Sequence, residues 1–216
     1  MKTRLILIRH GQSQSNLEDK FAGHTDVMLT ELGKAQGKCT GEFLKNEKID
    51  AIYSSELTRA YETACYTAEY HNLKVTKYAG VNEINGGLWE KRTYPEIKEQ
   101  FPEQSFIWHT NIGNCFCEKG ESVAQVRDRV YNALEELAKK HSGQTVAIGT
   151  HGMALRAFVL KVQGLSLDEM QEKTKWASNA SVTYVDYEDG KFTLVKYGED
   201  KHLDDAGLKT DLIIKA

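Results

Sequence analysis

Leu5-Ile6-Leu7-Ile8 is apolar at four successive positions and is closed by Arg9-His10. A run of that length is too short for a buried helix, so it predicts a strand covered on both faces. Ala51-Ile52-Tyr53 and Val146-Ala147-Ile148 have the same character. Helical patterns lie between them. Thr30 is placed to cap one that carries Leu32, Ala35, Cys39 and Phe43 on one side, and Ala60, Ala64 and Ala68 mark another. Ser122-x-x-Gln125 is a capping box, followed by Val123, Val126, Val130, Leu134 and Leu137 at helical spacing and stopped by Ser142-Gly143. Ser166-x-x-Glu169 has the form of a second box, and Val182 to Tyr187 with Phe192 to Tyr197, split by Glu188-Asp189-Gly190, predict a late hairpin. Alternating strands and helices predict an α/β chain: three-layer αβα, with a mostly parallel central sheet and helices on both faces. The length of 216 residues suits one domain over 1–216. Residues 89–121 are read as an insertion forming a small helical cap over the C-terminal ends of the strands.

The charge balance and the apolar runs exclude several function classes. With 28 basic and 31 acidic residues, the chain lacks the positive field that sequence-independent nucleic-acid binding needs. No apolar run reaches the roughly 18 residues of a membrane span. The charged start Met1 to Arg4 is followed by too little apolar sequence for a signal peptide. A cytoplasmic protein with no membrane or nucleic-acid partner is therefore expected. Cys39, Cys65, Cys115 and Cys117 are then expected as free thiols, and the sequon Asn179-Ala180-Ser181 as unused. Cys115-x-Cys117 lacks the C-x-x-C spacing of structural zinc sites.

In such folds ligands gather at the C-terminal ends of the strands. The first strand ends in Arg9-His10-Gly11. The second ends in Ser54-Ser55, with Arg59 soon after, and a later one ends in Thr150-His151-Gly152, with Arg156 one turn on. One such tripeptide is ordinary; repetition at three strand ends is the signal. Guanidinium groups grip phosphate oxygens, helix N-termini attract anions, and a neutral imidazole is a competent nucleophile. These residues point to phosphoryl transfer through a phosphohistidine.

The chain resembles the histidine phosphatase superfamily, in the branch holding cofactor-dependent phosphoglycerate mutases and small phosphatases. The resemblance is carried by Arg9-His10-Gly11-Gln12-Ser13-x-x-Asn16 and by Asp26-x-x-Leu29-Thr30-x-x-Gly33-x-x-Gln36. It continues in Ser54-Ser55-x-Leu57-x-Arg59-Ala60-x-Glu62-Thr63, Glu83-x-x-x-Gly87-x-Trp89-Glu90, Gly120-Glu121-Ser122 and His151-Gly152-x-x-x-Arg156. It implies His10 as the phosphorylated nucleophile. Arg9, Asn16, Arg59, His151 and Gly152 are implied to hold the phosphoryl group. Glu83 is implied as the proton donor that later activates water. No metal and no cofactor are expected. Glu62 either orients this cluster or faces solvent, and Trp89 is read as packing.

The mutases of the family carry Arg-His-Tyr-Gly after the acid and a longer insertion before the second histidine. Here Gly86-Gly87-Leu88-Trp89-Glu90 follows instead, and Met153 stands where mutases tend to have Asn. The expected function is therefore metal-independent hydrolysis of a small phosphomonoester. A mutase is the alternative, and a catalytically silent phospho-ligand binder the second. The usual Trp-Glu-Gly ends here in Lys91. Lys91 and Arg92 are candidates for a second negative group on the substrate, and His24 for another substrate contact. Tyr94, Phe101, Phe106, Trp108 and Phe116 either grip the leaving group or form the core of the cap. The tail from Asp200, ending in Leu212-Ile213-Ile214, either docks or frays.

Overall fold

A computed structural model describes residues 1–210; the apolar end of the tail, Leu212-Ile213-Ile214, lies outside them. The first half runs β1 (Thr3–Arg9), α1 (Gln14–Leu17), α2 (Glu31–Leu44), β2 (Ala51–Ser54), α3 (Thr58–His71) and β3 (Val75–Lys77). Next come α4 (Tyr94–Gln100), α5 (Pro102–Thr110), α6 (Val123–Lys140), β4 (Thr145–Thr150) and α7 (Gly152–Val162). The chain continues through α8 (Met170–Lys173), β5 (Val182–Glu188), β6 (Lys191–Glu199) and α9 (Lys201–Asp205). The six strands form one sheet in the order β3-β2-β4-β1-β5-β6. β1 to β4 are parallel, and the late hairpin β5–β6 adds two antiparallel strands.

Successive side chains of β1 enter opposite layers, as the unbroken apolar run requires. Leu5 and Leu7 pack with α6 and α7 residues such as Val130, Leu134, Leu155 and Phe158. Ile6 and Ile8 pack with Leu44, Ala64 and Ala68 on the other face. The register Arg9↔Thr150 between β1 and β4 leaves His10 and His151 level with each other just beyond the strand ends.

The α2 pattern is a correction. Its buried residues are Gly33, Gln36, Gly37, Thr40, Gly41 and Leu44, while Leu32, Ala35 and Cys39 are only half-buried and Phe43 is exposed. The helix packs by close approach of backbone. A methyl on Gly33 would lie 2.0 Å from the Gln12 carbonyl oxygen, and one on Gly11 would lie 2.3 Å from the Gly33 carbonyl oxygen. The helix therefore fits directly under the loop that follows β1. The Ser166 box is a second correction. Ser166 donates to the Glu169 carboxylate, but the Glu169 N–H bonds the Ser166 carbonyl, which closes a turn, and helix starts only at Met170.

The 89–121 segment is helical over α4 and α5. Its aromatics divide. Trp89 and Trp108 each pack edge-on with Phe21 at 5.4 Å and with one another at 5.6 Å, whereas Phe106 and Phe116 are exposed. All four cysteines are free thiols. Among the described residues no helix is long and apolar enough to cross a membrane.

Candidate active site

The loop after β1 is fixed by its own backbone. The His10 N–H donates to the Thr150 carbonyl, and its carbonyl accepts from Ala180 N–H and Asn179 Nδ2. Gly11 N–H donates to Thr63 Oγ1, and Gln12 N–H to Gln36 Oε1 at 2.8 Å. Thr30 caps α2, and Asp26 accepts from both the N–H and the hydroxyl of Thr58 at the start of α3. The sequence blocks around Asp26 and Gln36 thus hold the loop after β1 and the start of α3.

His10 Nδ1 lies 2.7 Å from the carbonyl oxygen of Gly11. A carbonyl only accepts, so Nδ1 carries the proton and Nε2 of the neutral ring presents a lone pair. Burial, then the charges of Arg59 and Arg9, hold the ring well below the usual histidine range, which keeps it neutral. Its ring centre is 5.2 Å from that of His151. Burial followed by Arg59 depresses His151 in the same way.

Both arginines are almost wholly buried and anchored on backbone. Arg9 donates to the Ala177 carbonyl, and Arg59 to the carbonyls of Thr25 and Gly23 at 3.0 and 2.8 Å. Burial lowers Arg59 to about 10, so it stays charged at neutral pH. Among the described residues, Arg9 Nε, Arg59 Nε and His151 Nδ1 are buried without a hydrogen-bond partner. Unpaired buried nitrogens are costly, and the two guanidinium N–H groups among them are donors suited to an anion.

Glu83 sits beside this cluster. Its Oε1 accepts from the N–H groups of Ile84 and Ala154, and its Oε2 from that of Met153 at 3.1 Å. Met153 and Ala154 belong to the first turn of α7, so a carboxylate there meets the positive end of the helix. Oε2 retains a lone pair for a proton. The loop bearing Glu83 is clamped by Arg129, which bonds the carbonyls of Gly80, Asn82 and Glu83 and the carboxylate of Glu121. His24 Nε2 also bonds the Glu83 carbonyl, at 2.8 Å, so it acts on the loop.

Arg9, His10, Asn16, Arg59, Glu83 and Gly152 line one cavity of about 510 Å³, and His151 is buried just beneath it. Asn16 Oδ1 is held by Ser13 and Asn179, which leaves its NH2 group for a ligand. Other candidates fall elsewhere. Arg156 turns to Thr174 and the Met170 carbonyl, with Trp176 against its guanidinium. Glu62 accepts from Tyr66 and is not paired with the cluster. Lys91 is exposed, with a left-handed φ of 67°, the geometry that explains glycine as the family's residue there. Arg92 bonds Gln100 and the Leu88 carbonyl, away from the cavity.

Several lining or supporting residues were not foreseen from sequence. Asn179, read as a sequon, is buried and fastens the His10 carbonyl to Asn16. Asp19, Lys20, Met153 and Trp176 wall the cavity beside Tyr94 and Trp108, two of the aromatics named as candidates to grip the leaving group.

Comparison with known proteins places the chain in a family. Residues 5–200 match the histidine phosphatase superfamily (branch 1). Phosphoserine phosphatase 1 of Hydrogenobacter thermophilus is 34% identical over 93% of this chain and 94% of its own length. A 2,3-bisphosphoglycerate-dependent phosphoglycerate mutase of Bartonella henselae is also 34% identical, but over 79% of this chain and 86% of its own. The structure of Bacillus stearothermophilus YhfR superposes with a TM-score of 0.89 at 28% identity, covering 93% of this chain and 99% of that one.

Proposed function

The chain belongs to the histidine phosphatase superfamily, and from that premise we propose that it hydrolyses a small phosphomonoester through a phosphohistidine on His10. The observation that carries this reading is the neutral His10 ring, on the same cavity as Arg9 and Arg59, whose buried Nε donors have no partner among the described residues. In the first step Nε2 attacks phosphorus, the N–P bond forms and the ester P–O bond breaks. Glu83 Oε2 gives its proton to the departing oxygen. In the second step Glu83 takes a proton from water, whose oxygen attacks phosphorus as the N–P bond breaks. Glu83 ends protonated and inorganic phosphate leaves. Arg9, Arg59 and the NH2 of Asn16 spread the charge of the transferring group. That balance comes from side chains, so turnover is expected to survive chelation.

The substrate class proposed is a phosphorylated amino acid of the phosphoserine type. The longer alignment with a phosphoserine phosphatase supports it. So does Asp19, a carboxylate on the wall of a cavity that receives an anion. Such a charge repels a bare phosphoester and favours a leaving group that carries an ammonium. The test is phosphate release from phosphoserine and from 3-phosphoglycerate in chelator, with isomerisation of the latter followed in parallel. Phosphoserine is expected to be the better substrate. Isomerisation without release would replace hydrolase by mutase.

A further inference from the structure

Ser55 and Asn82 lie outside the cavity wall, yet they decide which nitrogen of His151 holds its proton. Asn82 is oriented from both ends: its Oδ1 accepts from the Glu56 N–H at 3.0 Å, and its Nδ2 donates to the Glu56 carboxylate at 3.2 Å. The atom facing Ser55 Oγ at 2.8 Å is therefore an acceptor, and the hydroxyl must donate to it. Ser55 Oγ accepts from the Leu57 N–H as well. It has no proton left for His151, whose Nε2 lies 2.7 Å away, so Nε2 must be the donor. In the neutral ring Nδ1 is then a bare lone pair, buried and without a partner among the described residues.

That lone pair faces a proton mismatch. The other two orphan nitrogens, on Arg9 and Arg59, are donors suited to phosphoryl oxygens. A phosphoryl dianion offers only acceptors, so it cannot bond to Nδ1 as the free protein holds it. One proton must enter between them, either on the ring or on the phosphoryl oxygen.

We infer that Ser55 and Asn82 are positioning residues that lock His151 with its proton on Nε2, so that a phosphoryl dianion binds together with one proton shared with Nδ1. The inference rests on the phosphoryl-pocket reading above. The groups facing the ring are Arg59 from α3, Arg9 and His10 from the end of β1, and His24 from the following loop. Glu83 lies against the first turn of α7. The arginines disfavour an imidazolium in the free protein, and the arriving anion reverses that balance. The lock therefore ties binding of the anion to arrival of the proton that pairs with it.

The experiment uses His10→Ala, which removes the nucleophile and its own Nε2 from the proton count. Inorganic phosphate is titrated calorimetrically at about pH 8, where the dianion predominates, in two buffers of different ionisation heat. The proton uptake per phosphate is compared with that of His10→Ala/Ser55→Ala. Without Ser55 Oγ the neutral ring is free to place its proton on Nδ1 and donate directly. Uptake is expected to fall by about one proton per phosphate. His10→Ala/Asn82→Ala should show the same fall, because the freed hydroxyl can then donate to Nε2. His10→Ala/Ser55→Thr, which keeps a hydroxyl, should restore the uptake, and it guards against a variant that is simply misfolded. Uptake unchanged between parent and Ser55→Ala overturns the lock while leaving the pocket reading intact. No phosphate binding by the parent overturns both.

Discussion

At the floor of the cavity Arg9, His10, Arg59 and His151 are each no more than 5% exposed. Three of them are anchored on backbone carbonyls and the fourth on Ser55. At the mouth, Leu17 is exposed and Asp19 and Lys20 are half-buried. Asp19 has a left-handed φ of 54°, on a segment held to the 91–93 stretch by Phe21 N–H to the Arg92 carbonyl and Lys91 N–H to the Phe21 carbonyl. In the function proposed, the floor is preorganised for the group that every phosphoester shares. The mouth is assembled from separate loops and meets only the part that differs between esters. Damage to the floor should therefore cost rate on all substrates, and damage to the mouth should change the order of substrates.

The largest effect should come from His10→Ala. Loss of the nucleophile is expected to reduce turnover about 10⁴-fold or more on every ester, while phosphate still binds. Substantial residual turnover on any ester would break the idea of a common floor. Glu83→Gln comes next, because it lies where floor and leaving group meet. Turnover of phosphoserine, whose alkoxide leaves poorly, should drop about 10²- to 10⁴-fold. Turnover of p-nitrophenyl phosphate should drop far less, since that leaving group needs no proton. Equal losses on the two esters would remove Glu83 from the role of acid.

The same contrast governs what the sequence could reveal. The floor residues cluster at strand ends in short local blocks, so Arg9, His10, Arg59 and His151 were legible once β1, β2 and β4 were read as strands. The mouth draws on residues 17–23, 94, 108, 176 and 179, which only tertiary packing brings together. Asp19 and Trp176 carry no periodicity or motif that would single them out, and the sequon at Asn179 points to a different role. The helices show a parallel difference. α6 buries Val126, Val130, Leu134 and Leu137, so its apolar stripe predicted its inner face. α2 buries glycine, Gln36 and Thr40, because it must reach the backbone of the His10 loop, and its apolar residues misidentify the face. Arg156 stands one turn beyond His151, but the Met170–Thr174 stretch supplies its acceptors and turns it from the cavity.

Acid should expose the floor in a smaller but measurable way. Burial, then Arg59, keeps the folded His10 and His151 rings below the ordinary histidine value. An unfolded histidine titrates near about 6.5. As pH falls through that value the unfolded chain gains protons that these two folded rings refuse. Stability then falls by about 1.4 kcal/mol per pH unit for each ring, and their contribution is flat above it. Urea midpoints between about pH 7 and 5 should fall less steeply in His10→Ala than in the wild type. Parallel slopes would mean that the folded His10 ring titrates like a free one.

The smallest effect belongs to the mouth and is the one that sharpens the comparison most. Asn tolerates the left-handed backbone of residue 19 as well as Asp does, so Asp19→Asn removes charge without disturbing the loop. The neighbouring Lys20 ammonium pairs with Glu18 at 2.7 Å and does not neutralise Asp19 directly. A partly exposed ion pair with a substrate ammonium contributes up to about 1 kcal/mol. Asp19→Asn should therefore raise KM for phosphoserine about 2- to 5-fold. It should leave KM for 3-phosphoglycerate unchanged or lower, since that substrate carries no cation and no longer meets a like charge. The kcat for p-nitrophenyl phosphate should not move, because the floor is untouched. A uniform fall in kcat across the three esters would place Asp19 with the floor and erase the division on which the substrate assignment depends.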